Sequence, residues 1–126
     1  MSDHLEHYKK GLKLFGENKH VEAIAAYEAA LEAKPDWEDA LHALAMAYKS
    51  AERLDDAIAT AKRIVELNPE DAFAYTSLSI FYMNKGMIDE AEAEAAKARM
   101  VSWKQELKTN PDAPPPGPAG SMDVIQ

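Results

Sequence analysis

Residues 45–69 read AMAYKSAERLDDAIATAKRIVELNP, and the same pattern recurs before and after them. Upstream, residues 11–35 read GLKLFGENKHVEAIAAYEAALEAKP. Downstream, residues 79–103 read SIFYMNKGMIDEAEAEAAKARMVSW. Pro35 and Pro69 close the first two copies and stand 34 residues apart. A fixed period of this length indicates a stack of similar supersecondary units.

Each copy contains an acidic residue followed by alanine at one fixed place. The pairs are Glu22-Ala23, Asp56-Ala57 and Glu90-Ala91. Small residues at such a place let two helices approach closely, while large residues at helical spacing fill the space between them. We therefore expect Ala57 and Ala91 to be buried where helices cross. The pattern resembles the tetratricopeptide repeat family, whose members are built from paired helices and usually hold other proteins.

The resemblance extends over residues 4–103. It implies an all-α fold, a right-handed superhelical stack of three antiparallel helix pairs. The expected repeats are at about residues 4–37, 38–71 and 72–108. The expected helices are at about residues 3–16, 19–33, 37–50, 54–67, 71–84 and 88–108.

Local residues predict how these helices begin and end. Asp36 and Asn68 are short polar residues of the kind that cap helix starts, and Gly16 and Gly86 are suited to left-handed turns at helix ends. Trp103 stands where the family has a closing proline. The last helix is therefore expected to continue further than the others and to shield the end of the stack.

The composition changes at residue 109. Residues 109–126 read TNPDAPPPGPAGSMDVIQ, which predicts a flexible, extended, proline-rich tail after a three-repeat domain at residues 1–108. The tail ends in an apolar stretch that contains Val124 and Ile125. Three roles stay open for these residues: contact with a partner, contact with the chain's own groove, or none.

The charge and composition disfavour several classes of protein. The formal net charge is −8 and basic residues form no cluster, so a nucleic-acid partner is not expected. The chain has no cysteine, which removes disulfides and thiolate chemistry. No apolar run is long enough to span a bilayer, and the first residues lack a signal region, so we expect no membrane insertion and a cytoplasmic protein.

Motifs for catalysis or cofactor binding are missing from the sequence. No G-x-S-x-G, Walker-type loop or H-E-x-x-H occurs. His4 and His7 lie three residues apart, but two histidines without a third ligand make a weak metal site. We therefore expect no enzyme, no cofactor and no bound metal.

The family resemblance places a partner-binding groove on the first helix of each repeat. Many residues at the corresponding positions are large and apolar, which is typical of an interaction surface and favours an apolar or amphipathic protein segment as ligand. The expected groove residues are Leu5, Tyr8, Leu12, Phe15, His42, Met46, Lys49, Phe73, Ser77, Ile80, Met83 and Asn84.

One known activity of the family is not expected. Members that hold the acidic tails of Hsp70 and Hsp90 chaperones use lysine, asparagine and arginine at five groove positions. Those positions here hold Tyr8, Leu12, Ala43, Phe73 and Ser77. Without these basic and amide side chains, the groove cannot clamp a carboxylate.

The sequence as a whole predicts a non-enzymatic protein-interaction module, an adaptor or scaffold that helps complexes assemble. The alternative is a small structural subunit that stabilises a larger multiprotein assembly or a homo-oligomer. The two differ in what the isolated chain should do. A module should be monomeric by itself, whereas a structural subunit should self-associate or be insoluble without its complex.

Overall fold

The computed structural model describes residues 3–117, and over that range it contains six α-helices and no strand. The all-α prediction is confirmed, with every helix boundary within one residue of the expected one. The helices are α1 (Asp3–Gly16), α2 (His20–Ala33), α3 (Glu38–Ser50), α4 (Leu54–Leu67), α5 (Ala72–Asn84) and α6 (Ile88–Leu107).

The described residues fall into two compact units that divide between Leu67 and Asn68. In unit 1, α1 packs on α2, α2 on α3 and α3 on α4, and α1 also touches α3. In unit 2, α5 packs on α6. Each antiparallel pair is joined by a short turn. The boundary expected between residues 108 and 109 stays a prediction.

Alanines at the repeated place are fully buried. Ala23, Ala57 and Ala91 are each 0% exposed, as the pattern predicts. A methyl group is the largest side chain that such a crossing admits without pushing the helices apart. Large side chains fill the space around these crossings, and the fully buried ones are Tyr27, Leu41 and Ile64 in unit 1 and Leu78 and Phe81 in unit 2.

The first helix pair closes by fitting a large ring against a glycine. Gly11 of α1 is buried, and a Cβ atom built on it would overlap the ring of Tyr27 from α2. Tyr27 is 1% exposed. Burial raises the pKa of its hydroxyl, and the neighbouring Tyr8 raises it further. Glycine is therefore needed at residue 11 because Tyr27 occupies the space of a side chain.

The turns inside the three pairs repeat one backbone geometry. Asn18, Glu52 and Gly86 occupy the same place in the repeat and have positive φ angles of 63°, 63° and 77°. The next amide in each case donates to a carbonyl five residues earlier; the pairs are Lys19–Leu14 at 2.9 Å, Arg53–Tyr48 at 2.8 Å and Met87–Tyr82 at 2.9 Å. Gly86 adopts this conformation as expected. The first turn uses Asn18 for it, and Gly16 does not take part.

The helix caps differ from the expected ones. Asp71 caps α5, because its Oδ1 accepts the Ala74 amide at 3.2 Å. Asp36 instead pairs with Arg63 (Nη2 to Oδ1, 3.2 Å), and Asn68 Oδ1 accepts the Glu70 amide in the preceding turn. The prediction that Asp36 and Asn68 cap helices was wrong, because both residues lie too far before the first helical turn.

The segment after α6 folds back on the helix. The Trp103 indole Nε1 donates to the carbonyl oxygen of Ala113 at 3.0 Å, and Ala113 is 6% exposed. The Thr109 and Asn110 amides donate to the Glu106 carbonyl. Residues 109–113 are thus turned and partly packed rather than extended, because these backbone bonds and the indole bond hold the segment against the end of α6.

Val124 and Ile125, the residues expected to make tail contacts, lie outside the described residues. Their role stays a prediction.

Candidate protein-interaction surface

Unit 1 exposes large apolar side chains on its first and third helices. Leu5 and Leu12 of α1 are 40% and 47% exposed, and Met46 of α3 is 36% exposed. Leu5 and Leu12 are seven residues apart and therefore lie on one side of α1. Leu12 and Met46 occupy the same place in successive repeats. The pairing of the helices does not bury these side chains, so they form an available apolar surface.

Two predicted groove residues of α1 are engaged in ring contacts. The Tyr8 ring centroid lies 4.8 Å from that of Trp37 and 5.9 Å from that of Tyr27. Phe15 packs on His20 with centroids 5.1 Å apart. Both side chains are half-buried. Tyr8 and Phe15 thus connect α1 to Trp37, Tyr27 and His20 instead of being freely available to a ligand.

An aromatic cluster around Trp37 was not anticipated. His4 meets the Trp37 ring edge-on at 5.0 Å, and the Lys34 ammonium lies 5.2 Å from the centroid of the same ring. Trp37 is the residue just before α3, so it stands outside the repeating helical pattern. The available signal was the spacing of His4 and Tyr8, which places their rings on one face of α1.

The polar residues predicted on α3 are less accessible than the apolar ones. His42 and Lys49 are half-buried. Met46 lies between them along the helix and is exposed. The polar side chains therefore flank the apolar surface of unit 1.

A hydrogen-bonded tyrosine fixes α3 against α2. The Tyr48 hydroxyl donates to Glu28 Oε2 at 2.8 Å, and the Arg53 guanidinium lies 4.8 Å from the Tyr48 ring centroid. Arg53 also pairs with Asp56 at 2.9 Å. Burial, followed by the bond to Glu28, raises the pKa of Tyr48 to about 12. This link joins the helix that bears Met46 to the first helix pair.

Unit 2 has an apolar surface of its own on α5. Phe73, Ile80 and Met83 are 57%, 46% and 50% exposed, and Asn84 beside them is exposed. Ser77 is an exception among the predicted groove residues, because it is 5% exposed. It offers no surface to a ligand and we remove it from the candidate set.

The two units also contain open cavities. One of about 350 Å³ in unit 1 has polar and small apolar walls from α1 and α2, including His7, Lys10 and Glu22. One of about 350 Å³ in unit 2 is bordered by Trp103 and the prolines that follow α6. A smaller one of about 260 Å³ in unit 2 lies between Pro69 and the end of α6.

Across residues 3–117, none of the helices combines the length and the apolar composition that crossing a membrane requires.

A curated protein and several solved structures are similar to this chain. The peroxisomal targeting signal receptor of Pichia angusta is 34% identical over 92 residues, which are 72% of this chain and 16% of that protein. The crystal structure of MamA is 27% identical with a TM-score of 0.79, over 83% of this chain and 61% of MamA.

A further solved structure is the second tetratricopeptide domain of Spaghetti (RPAP3) bound to the HSP90 peptide SRMEEVD. It is 18% identical with a TM-score of 0.72, over 79% of this chain and 92% of that one. At this identity the likeness is one of fold. The chain spans about one sixth of the length of its curated relative, whose match covers 16% of that protein.

The sequence itself matches the tetratricopeptide repeat profile over residues 14–79, which is more than half of the chain. The match includes the turn residues Asn18 and Glu52 and the buried Ala23 and Ala57. These residues are also the ones at which the structure repeats its geometry. The chain belongs to the tetratricopeptide repeat family.

Proposed function

We propose that this chain is a protein-interaction module that binds an apolar or amphipathic segment of a partner protein. The segment binds where the first helices of the repeats expose their apolar side chains. Each unit carries such a surface of its own, which consists of Leu5, Leu12 and Met46 in unit 1 and of Phe73, Ile80 and Met83 in unit 2.

The observation that supports the proposal is the exposure of equivalent side chains in successive repeats. Leu12, Met46 and Ile80 occupy the same place in the three copies and are 47%, 36% and 46% exposed. Buried alanines already form the helix crossings, so these larger residues have no part in closing them. An apolar set that recurs in register and remains exposed is expected at a surface that another protein covers.

The chemistry of the surface suggests what it binds. Leucine, isoleucine and phenylalanine gain free energy when a partner covers them, and the flexible thioethers of Met46 and Met83 can adjust to different shapes. Half-buried His42 and Lys49 border Met46 with polar atoms. This arrangement suits a segment with one apolar and one polar side.

The Spaghetti domain is bound to an acidic HSP90 peptide. That a protein of the same fold binds a peptide supports the proposal that this chain does so too. The ligand is expected to differ. Four of the five clamp positions here hold Tyr8, Leu12, Ala43 and Phe73, and the fifth holds the buried Ser77. We therefore keep the prediction that acidic chaperone tails are not the ligand.

Capture with matched variants tests the proposal. The unmodified chain, Leu12→Glu, Met46→Glu and the control Val21→Glu are used as baits in extracts of the source cell. Val21 is 70% exposed on α2, a helix that contributes no residue to the proposed surface, so its substitution matches the change in charge. We expect the unmodified chain and the control to retain the same proteins, and both groove variants to lose them by about tenfold or more.

Two readouts separate binding from folding. Circular dichroism should show the same helix content in all four proteins, because the substituted side chains are exposed. If Leu12→Glu unfolds the chain, that leucine belongs to the core and the assignment is wrong there. If all variants retain the same proteins, the apolar surface is not the binding site.

Size in solution distinguishes the alternative function. A module should sediment as a monomer of 13.9 kDa, as its sequence implies. A structural subunit that covers its apolar surface with a second copy should sediment as a dimer or larger. Leu12→Glu should then dissociate it.

A further inference from the structure

The C-terminal half of α6 carries a further surface in unit 2. We call it the Trp103 face. It borders an open cavity of about 350 Å³, and the helical residues that line it are Thr76 of α5 and Ala98, Arg99, Ser102, Trp103 and Glu106 of α6. The remaining lining residues are Pro114 and Pro116, which belong to the segment that follows the helix.

The structure shows what this face holds. The Trp103 indole N–H donates to the Ala113 carbonyl at 3.0 Å, and Ala113 is buried. Pro116 is half-buried against the same face. An indole donor combined with an aromatic surface for prolines is the arrangement that recognises proline-rich peptides, because such peptides offer carbonyl acceptors and pack their rings on aromatic side chains.

Two polar side chains of the face, Trp103 and Arg99, match a proline-rich ligand for a second reason, while Thr76, Ser102 and Glu106 also line it. Proline has a carbonyl but no amide hydrogen, so a run of prolines brings acceptors without donors. Trp103 and Arg99 supply donors alone through the indole and the guanidinium. A run of prolines also loses little backbone entropy on binding, because its extended conformation is largely set in advance.

Residues 113–116 of the chain satisfy the Trp103 indole but leave part of this face without a hydrogen-bond partner in the described part of the chain. Arg99 Nη2 is buried and has no hydrogen-bond partner within residues 3–117. The cavity of about 350 Å³ beside it is open. A buried guanidinium nitrogen without an acceptor is a cost that a ligand with one more well-placed carbonyl would remove. A longer proline-rich segment could therefore satisfy both Trp103 and Arg99.

We propose that the Trp103 face recognises a proline-rich segment of a partner protein, and that residues 113–116 occupy the face in cis until such a segment displaces them. The observed contact then has two consequences. It identifies the chemistry of the ligand, and it makes the site weaker towards outside ligands than the empty face would be. Tethering gives the cis segment a high effective concentration, which an outside ligand must overcome.

The experiment uses the full chain and an octaproline peptide, with a glycine-serine octapeptide as control. The chain has two tryptophans, so an ¹H–¹⁵N spectrum has two indole signals. Trp103→Phe and Trp37→Phe assign them. We expect octaproline to shift the Trp103 indole signal, leaving that of Trp37 in place, and the control peptide to shift neither.

Release of the cis segment should strengthen binding. Pro114→Gly combined with Pro116→Gly keeps the full length and every residue of the helices. In this variant we expect octaproline to bind roughly threefold to tenfold more tightly. Adding Trp103→Phe to it retains an aromatic ring and removes the donor, which should weaken binding about fivefold to tenfold. Adding Arg99→Gln should also weaken it.

Several results would overturn the proposal. One is a Trp103 signal that millimolar octaproline leaves unmoved in both the unmodified and the released chain. Trp37→Phe alone assigns both signals, because the chain has only two tryptophans, so the measurement on the unmodified chain stands even if a helix variant fails to fold. Another is equal affinity with and without the Trp103 indole donor. Concentration-dependent dimerisation through exchange of the 113–116 segments would assign the face to a second copy, and that too would contradict a site for a partner.

Discussion

The first and third helix pairs share one register but close in different ways. In the first pair, Gly11 leaves space that the Tyr27 ring fills. In the third pair, Ser79 stands at the place of Gly11, and its hydroxyl donates to the Ala91 carbonyl at 2.8 Å. Ala95 replaces the tyrosine. The register thus fixes where helices cross, while the residue at each place decides whether volume or a hydrogen bond completes the contact.

The two pairs also end differently. The second helix of the first pair, α2, has 14 residues, whereas α6 has 20 and continues through Trp103. Trp103 then holds the segment that follows. The exposed side chains are nevertheless equivalent, because Leu12 and Ile80 occupy the same place and are 47% and 46% exposed. The two pairs therefore differ in their helix contacts and ends, whereas the exposed apolar residue at this place of the repeat is retained.

The largest expected effect is at Gly11. Gly11→Ala should lower the free energy of unfolding by about 1 to 3 kcal/mol, because its methyl group overlaps the Tyr27 ring. At the same place in the third pair, Ser79→Ala should cost about 1 kcal/mol, the loss of one hydrogen bond. Urea denaturation measures both. Equal small losses at the two positions would remove the distinction between the pairs.

A double substitution sharpens this test. In a Tyr27→Ala background, which resembles the second and third pairs, the ring is gone. Gly11→Ala should then stabilise by roughly 0.5 to 1 kcal/mol, since alanine forms helices better than glycine. A change of sign between the two backgrounds is the expected outcome. An equal loss in both would show that the Tyr27 ring is not the obstacle.

The bond between Tyr48 and Glu28 ties the first pair to α3 and should depend on pH. The pKa of Tyr48 is raised from 10.0 to about 12 in the folded chain. Its contribution is therefore complete below pH 10 and is lost as the pH rises from about 10 to about 12. Tyr48→Phe should cost about 1 kcal/mol at pH 7 and reduce the loss of stability above pH 10. The same alkaline slope in the variant would contradict this assignment.

A comparable effect is expected where the third pair ends. Trp103→Phe should lower the free energy of unfolding by about 0.5 to 1.5 kcal/mol, because the bond to the Ala113 carbonyl is lost. A chain that ends at Lys108 should lose a similar amount. The two changes remove one interaction, so their combination should cost little more than either alone. Fully additive losses would mean that they act separately.

Effects of opposite sign are expected at the turns. Gly86→Ala should destabilise by about 1 kcal/mol, because φ is 77° there and only glycine adopts this conformation freely. Glu52→Gly relieves a φ of 63° in the second pair and should stabilise by about 0.5 kcal/mol or less. Thermal unfolding of both variants checks the opposite signs. If both variants were less stable than the unmodified chain, the positive φ angle at residue 52 would not be a source of strain.

The sequence predicted the features that repeat and missed those that occur once. The helices and the buried Ala57 and Ala91 follow from a spacing that recurs in three copies. The cap at Asp71 depends on where one helix makes its first turn, and the sequence favoured Asn68, three residues earlier, for that place. The contact of Trp103 with Ala113 depends on how one chain end folds back, for which periodicity holds no information.

For the candidate surface too, the sequence predicted the exposure of the residues that repeat and missed the contacts that occur once. The exposure of Leu12, Met46 and Ile80 agrees with their register, because positions not used for helix pairing face outwards. Ser77 was misplaced, since a small side chain at the edge of a face is easily covered by its neighbours. Tyr8 was expected to be available, but the Trp37 ring, which stands in a connection between helices, packs on it.

Site-specific photocrosslinking tests most directly whether the shared register marks a binding surface. A benzoylphenylalanine residue replaces Leu12 in the first pair or Ile80 in the third, and Val21, 70% exposed, provides the control. After irradiation in the source cell, we predict covalent adducts with the same partner protein at residues 12 and 80 and none at residue 21. Equal adducts at all three positions, or adducts at residue 21 alone, would contradict the proposed surface.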